Sequence, residues 1–445
     1  MLNYIWLGLI LAAVLMGGAT GHMKELTDGA FDAAKSSVMS IALPFIGGMA
    51  LWLGIMRLAE KSGLVQVLAR VLRPVLRRLF PDVPADHPAM GAMVMNIAAN
   101  MLGLGNAATP LGLRAMQRLE RLNPHPGTAT NAMCTFLAIN TSSVQLIPAT
   151  AVIILASAKS TNPTAIIGTA LVATSCAAAA AIVAVKLLQR LPAFAIPETS
   201  TASTPQAPEP PPDEDADSPA PSPLRRWGSA VLALFAACFV YWFIRDIIHP
   251  PSPADPSQPS LTQATVWIRA VSAASALAIP FFISFFPLYA FARGVKVYEE
   301  FVEGAKDGFN VAIRIIPYLV AILVAVGMFR AAGGIQILAQ WLAPVLDRIG
   351  FPADLLPVVL VRPLSGSATL GLFAELVKAH GPDSFVARTA GTILGSTETT
   401  FYVLAVYFGS VGIRRTRHAV LAGLTADLTG VIVSFLVCRA VFGAP

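Results

Sequence analysis

The chain has 445 residues, 55% of them hydrophobic and only 13% charged, with a formal net charge of +6. Soluble domains carry about 25% charged residues, and the mean hydropathy here is +0.67, so a water-soluble globule is excluded and the basic surplus does not point to nucleic acid. The class is an all-α, polytopic helical membrane protein, because backbone groups in lipid must pair within their own segment and long apolar runs therefore mean helices.

Residues 1–20 are apolar, but the opening Met-Leu-Asn-Tyr carries no positive charge, so they are expected to be a membrane anchor with its N-terminus outside rather than a secretory signal. A first half, residues 1–190, continues with an apolar helix that begins near Pro44 and ends at Arg57. An amphipathic stretch, Gly63–Pro74, is too short and too polar on one face to span and suits an interfacial helix. A glycine-broken segment follows, Asn100-Met-Leu-Gly-Leu-Gly-Asn106-Ala-Ala-Thr-Pro110, then an apolar segment with a polar knot, Asn140-Thr141-Ser142-Ser143, and a closing helix near Pro163–Leu188. Residues 191–226 form a linker rich in Pro, Ala, Ser and acidic residues, expected to be disordered and cytoplasmic.

The second half, residues 227–445, opens with a helix near Trp227–Ile248 that the first half lacks. The order then repeats: Pro317 to Arg330, an amphipathic stretch Gly333–Pro344, a glycine-broken segment Arg362-Pro-Leu-Ser365-Gly-Ser367, the knot Ser396-Thr397-Glu398-Thr399, and a closing helix Ala419–Val441. Repeated halves with interrupted apolar segments at matching positions are the sequence pattern of a transporter binding site. Lys186, Arg190, Arg225 and Arg226 flank the linker, while residues 249–263 hold no Lys or Arg. Counting spans by the positive-inside rule makes both units enter from the cytoplasm, which favours a parallel over an inverted repeat; Arg414, Arg415 and Arg417 fit that count badly.

Glu398 is the only charged residue between Arg388 and Arg414. A charge mid-helix costs about 2.5–3.5 kcal/mol on insertion scales, so Glu398 is expected to face protein or a water-filled cavity. Two readings stand: a structural acid paired inside the bundle, or a site for a cation, a proton or a substrate amine. Ser396, Thr397 and Thr399 either join that site or bond back to helix carbonyls. The first-half knot has no acid, and Asn140, Thr141, Ser142 and Ser143, with Gln145, offer only neutral groups. Asn96 is expected to glue helices, Asn100 and Asn106 to face a cavity. Arg362, beside Ser365 and Ser367, is either a counter-ion for Glu398 or for an anionic ligand, or an interfacial arginine. Asp427 is a second acid in an apolar helix and needs a partner; His380 and Asp383 look like turn and cap residues.

The glycine break around Asn100–Pro110 with Cys134–Pro148 resembles spore maturation protein A, and Arg362–Ser367 with Gly395–Gly412 resembles spore maturation protein B. The resemblance covers nearly the whole chain outside the linker and the Trp227–Ile248 helix, and implies a fusion of two proteins that are usually separate chains. It further implies a nucleoside-recognition or gate domain in each half, similar to domains in concentrative nucleoside transporters and in ferrous-iron transport protein B, and hence a role in transport or gating without fixing a substrate.

The expected function is a permease for a small polar solute or ion in a bacterial inner membrane, with the lipid bilayer as its surroundings. A homo-oligomer is compatible with the sequence. The alternative is a scaffold or regulator of envelope or spore cortex assembly acting through partners. No phosphate-binding Gly-rich loop and no protease or hydrolase motif occurs, so neither ATP hydrolysis, another enzyme activity nor a cofactor is expected. The four cysteines lie apart in apolar segments and suit core positions, and no metal site is expected.

Overall fold

The computed structural model describes residues 2–84, 86–103, 105–194, 224, 226–251, 264–334, 337, 346 and 350–443. Most of the linker and most of the amphipathic stretch Gly333–Pro344 lie outside the described residues. The described residues are overwhelmingly helical and form no β-strand.

In the first half, α1 (Leu2–Thr20) leads into α2 (Met23–Ser36), a π-helical turn (Ser37–Ala42) and α3 (Leu43–Lys61). The helix α4 (Leu64–Leu79) is amphipathic, with Arg70, Arg73, Arg77 and Arg78 along one side. Two broken helices follow, α5 (Pro88–Met101) with α6 (Gly105–Arg121), and α7 (Asn131–Ser142) with α8 (Ala149–Ser157), before α9 (Ile166–Leu188) closes the half. In the second half α10 (Arg226–Ile248) precedes α11 (Val266–Ala292) and the long α12 (Val297–Ala331). Again two broken helices follow, α13 (Leu356–Val361) with α14 (Gly366–His380), and α15 (Phe385–Ser396) with α16 (Thr400–Ser410), and then α17 (Ala419–Phe442). The helices that carry the knots start alike: the hydroxyl of Thr130 accepts from Met133 N at 3.2 Å, and that of Ser384 from Ala387 N at 3.2 Å.

By length and composition, α9, α10, α11 and α17 can each cross a membrane unaided. The α10 helix lies outermost, with Leu234, Val240 and Tyr241 exposed in the manner of a lipid-facing surface. It holds α11 through aromatic contacts, Phe235 and Phe239 against Phe281 at 5.7 and 5.2 Å. This is a multi-pass membrane protein.

The halves are related by inversion, not by the parallel arrangement that charge counting favoured. The α2–α3 unit and its counterpart α12 pack along each other in opposite directions. A Cβ on Gly29 would meet Ala331 at 3.3 Å, one on Gly308 would meet the Ala50 backbone at 2.5 Å, and one on Gly304 would meet Leu53 O at 2.7 Å. Arg57 pairs with Glu300 at 2.8 Å. Residue numbers rise along one helix as they fall along the other, so the two are antiparallel. Small residues at these crossings let the backbones approach. The closing helices repeat the pattern. Thr169, early in α9, and Cys438, late in α17, both contact Thr392, at 2.9 and 3.2 Å. At the other ends Lys186 lies close enough to act on the charge of His418.

The extra helix α10 explains the inversion. Both α11 and α1 precede a long helix, so the halves match from there on. A single additional crossing between them turns the second half over. Arg57, Lys61, Lys186, Arg190, Arg293, Lys296, Arg414, Arg415 and Arg417 then gather at one face, so the three arginines that spoiled a parallel count fall into place. The α1 helix runs the same way as α12, with Trp6 bonded to Ala321 O and Met16 near Met328, so its start points toward the basic face. By the positive-inside rule that basic face is expected to be the cytoplasmic one, which would put the start of α1 on that side, whereas the sequence reading expected the N-terminus outside.

Candidate functional site

Breaking a helix in lipid strands backbone groups that must find partners inside the protein. Here the breaks satisfy one another. Leu146 N, in the α7–α8 break, donates to Met101 O in the α5–α6 break at 3.0 Å. Phe401 N, after the α15–α16 break, donates to Pro363 O in the α13–α14 break at 3.0 Å. Across the halves, Glu398 N donates to Thr141 O at 2.7 Å, so the two polar knots touch. Thr174 Oγ1 of α9 donates to Ser142 O and Ser143 O at 2.9 and 3.0 Å. Ser143 takes a positive φ of 26°, which is uncommon for a residue other than glycine and marks the sharp exit from α7.

Beside this meeting point lies a partly open pocket of about 240 Å³. The first half contributes Gln145, Pro148, Thr150 and Ala151; the second contributes Arg362, Gly366, Ser367, Leu370, Leu394, Gly395 and Glu398. Gln145 Nε2 donates to Glu398 Oε1 at 2.9 Å, an amide of one half on the acid of the other. Arg362 is 4% exposed, so it is no interfacial arginine. Its Nη2 donates to Leu394 O at 2.9 Å, while Nε has no partner among the described residues. The charges acting on it are Glu398 and Asp427. Asp427 is buried behind the pocket, where Thr400 Oγ1 donates to its Oδ2 at 2.6 Å.

The other residues singled out in the sequence whose side chains are described stand near this pocket but are not among its lining residues. Asn100 Nδ2 donates to Asn140 Oδ1 at 2.8 Å, and Tyr407 OH donates to the same oxygen at 3.4 Å. Thr141 meets Glu398 through its carbonyl. Ser142 and Ser396 bond back to Ile139 O and Ile393 O, at 3.0 and 2.9 Å, the reading in which hydroxyls serve their own helix. Thr397 packs on Gly430, and Thr399 Oγ1 lies 3.0 Å from where a Gly366 Cβ would stand. Ser365 caps α14, accepting from Ala368 N at 3.2 Å, and its hydroxyl lies 3.4 Å from that of Ser367. Asn106 is on α6, but its side chain lies outside the described residues. Asn96 is the glue it was expected to be, bridging the α5–α6 break to Ala108 O at 2.7 Å.

Sequence reasoning missed several residues. Pro148, Thr150, Leu370, Leu394 and Gly395 line the pocket, and Tyr407 closes the Asn96–Asn140 network at 3.4 Å to each. Pro148 does stand at the end of the quoted Cys134–Pro148 motif, and Gly395 directly precedes the second knot. Asp383 is also more than a turn residue. Its carboxylate accepts from Ser160 Oγ at 2.6 Å and from Thr161 N at 2.8 Å, tying the loop after α8 to the start of α15. The matching joint at the basic face is made by backbone: Arg414 N and Arg415 N donate to Gly127 O, and Ala129 N to Arg415 O, at 2.9–3.0 Å.

A family model described as Gate, nucleoside recognition, matches residues 42–159 and 312–414. Spore maturation protein B of Bacillus subtilis (strain 168) is 46% identical over 166 residues, which is 37% of this chain and 93% of that protein. Spore maturation protein A of the same organism is 39% identical over 183 residues, 41% of this chain and 93% of that protein. No solved structure matches.

Proposed function

The chain belongs to the nucleoside-recognition gate family as a fused form of spore maturation proteins A and B, and on that premise we propose that it is a gated permease for a small polar solute in a bacterial inner membrane. One observation carries the reading: a pocket of about 240 Å³ lined by both inverted halves where their broken helices meet. A pure scaffold needs no such space, since polar side chains in its breaks and knots can satisfy one another as Asn100 and Asn140 do.

Inverted repeats around a site near the breaks are the architecture of alternating access, in which one half rocks against the other. Each half supplies part of the pocket wall, so any such rocking changes the pocket's shape and exposure. Gln145 and Glu398 span the divide at 2.9 Å, so their bond reports on whether the halves are together. No nucleotide-binding loop is present, so movement follows the solute's own gradient or that of a coupled ion.

The test uses the full chain in proteoliposomes with labelled amino acids and nucleosides. Uptake of at least one solute is expected, and Glu398→Gln is expected to lower it by about tenfold or more, a transition-state loss of about 1.4 kcal/mol. A variant that folds and retains full uptake removes Glu398 from the mechanism. Failure of every solute to enter returns the scaffold reading to the front.

A further inference from the structure

We propose that the pocket between the halves takes a small zwitterion of the amino-acid class, its anionic group on Arg362 and its ammonium on Glu398. The inference rests on the permease reading and names the substrate class of that same site.

A guanidinium carries five N–H donors, and burying donors without acceptors is costly. Arg362 is 4% exposed, yet its bond to Leu394 O is its single hydrogen bond among the described residues, and its Nε is without a partner. Glu398 and Asp427 balance its charge from a distance but give it no ion pair within 4 Å among the described residues. The fork is thus held in the pocket wall by charge and by the one bond to Leu394 O, while its remaining donors meet no acceptor among the described residues, which fits a carboxylate supplied by a ligand.

Glu398 is in the complementary state. Gln145 occupies Oε1 at 2.9 Å and fixes the carboxylate's orientation, leaving the other oxygen to accept from a ligand. Both Arg362 and Glu398 line the pocket without pairing with each other. A ligand carrying both charges bridges them. A lone cation leaves the guanidinium unserved, and a lone anion meets the repulsion of Glu398.

Size and wall chemistry narrow the class further. Pockets for drug-sized ligands run to about 300–1,000 Å³, so about 240 Å³ selects something smaller. Proteins commonly hold unstacked bases against aromatic or arginine planes, and no aromatic side chain lines this pocket among the described residues. Pro148, Ala151, Leu370 and Leu394 instead offer a short apolar wall, suited to a small side chain.

The experiment is calorimetric binding to the purified full chain in nanodiscs. The probes are the standard L- and D-amino acids, the amide and N-acetyl derivative of each binder, and uridine. At least one amino acid is expected to bind about tenfold or more tighter than both its amide, which lacks the anion, and its N-acetyl derivative, which lacks the ammonium. Glu398→Gln is expected to narrow the gap to the N-acetyl derivative while leaving the preference over the amide. Arg362→Lys, which keeps the charge but loses the fork, is expected to weaken every carboxylate-bearing probe; ligand-free melting curves check that both variants fold. Because the derivative series uses the native chain, the proposal does not depend on either variant folding. Equal binding of an amide, tighter binding of uridine, or no binding by any amino acid overturns the zwitterion. Binding of uridine or an amide that Glu398→Gln abolishes leaves the permease pocket standing, whereas no binder together with unchanged uptake by Glu398→Gln removes both.

Discussion

At the scale of single residues, close approach and buried bonds decide what the site tolerates. Gly395 sits where the halves meet, and a Cβ there would lie 2.5 Å from the Pro148 Cβ. Pro148 is a ring on the first half and cannot swing away, so Gly395→Ala must push the halves apart. Overpacking of this kind costs about 1–3 kcal/mol, and the variant is expected to melt earlier and to take up solute more slowly. A normal melting temperature with normal uptake would show that the halves are not in contact there. Thr400 poses the opposite case, a lost bond without a change of shape. Its hydroxyl donates to Asp427 Oδ2 at 2.6 Å, while Asp427 Oδ1 has no hydrogen-bond partner among the described residues. Thr400→Val removes that donor from a buried carboxylate at an expected cost of about 1–3 kcal/mol, and Asp427→Asn in the same background is expected to restore part of the loss because an amide carries no charge. Equal stability of wild type and Thr400→Val in thermal melts would contradict this.

At the scale of elements, the breaks and the joints carry the design. The breaks were legible: glycine and proline interrupt apolar runs at matching places in both halves, and the knots follow at matching intervals. Partners across the halves were not, because the contact of Glu398 N with Thr141 O, or of Tyr407 with Asn140, is set by packing between segments more than 250 residues apart and leaves no periodic trace. His418 illustrates a joint whose chemistry also depends on its neighbours. It is fully buried just before α17, edge-on to Phe194 at 5.8 Å, with neither ring nitrogen hydrogen-bonded among the described residues. Burial, then the charges of Arg417 and Lys186, push its pKa down from 6.5 to about 4. The fold therefore holds the neutral ring while the unfolded chain binds a proton below about pH 6.5. The stabilisation is complete above that pH and falls progressively as pH drops from about 6.5 toward 4. Melting temperatures of the native chain are expected to decline over that interval, and His418→Phe, which keeps a ring against Phe194 but cannot titrate, is expected to flatten the decline. The same slope in both proteins would assign the pH dependence elsewhere.

At the scale of the whole molecule, the sequence supports two halves but not their relation. Span counting failed because it treated every apolar run as one complete crossing, and broken and long continuous helices do not obey that rule. The arginines at 414, 415 and 417 were the one sign of inversion in the sequence. Inversion has a direct consequence for sidedness. Met23 and Lys296 stand at matching positions, just before or at the start of α2 and α12, yet the antiparallel packing puts these starts on opposite faces. Single cysteines at exposed positions, introduced in a background without the four native ones, separate the arrangements. Lys61→Cys, at the end of α3, and Lys296→Cys share the basic face, which the positive-inside rule assigns to the cytoplasm. Asp28→Cys, in α2, and Lys159→Cys, in the loop that meets Asp383, share the other. In intact cells a membrane-impermeant maleimide is expected to label positions 28 and 159 and to spare 61 and 296 until the membrane is opened. A parallel repeat predicts instead that 28 and 296 react from the same side, so a shared pattern for that pair would undo the inverted fold and, with it, the rocking of one half against the other on which the permease mechanism depends.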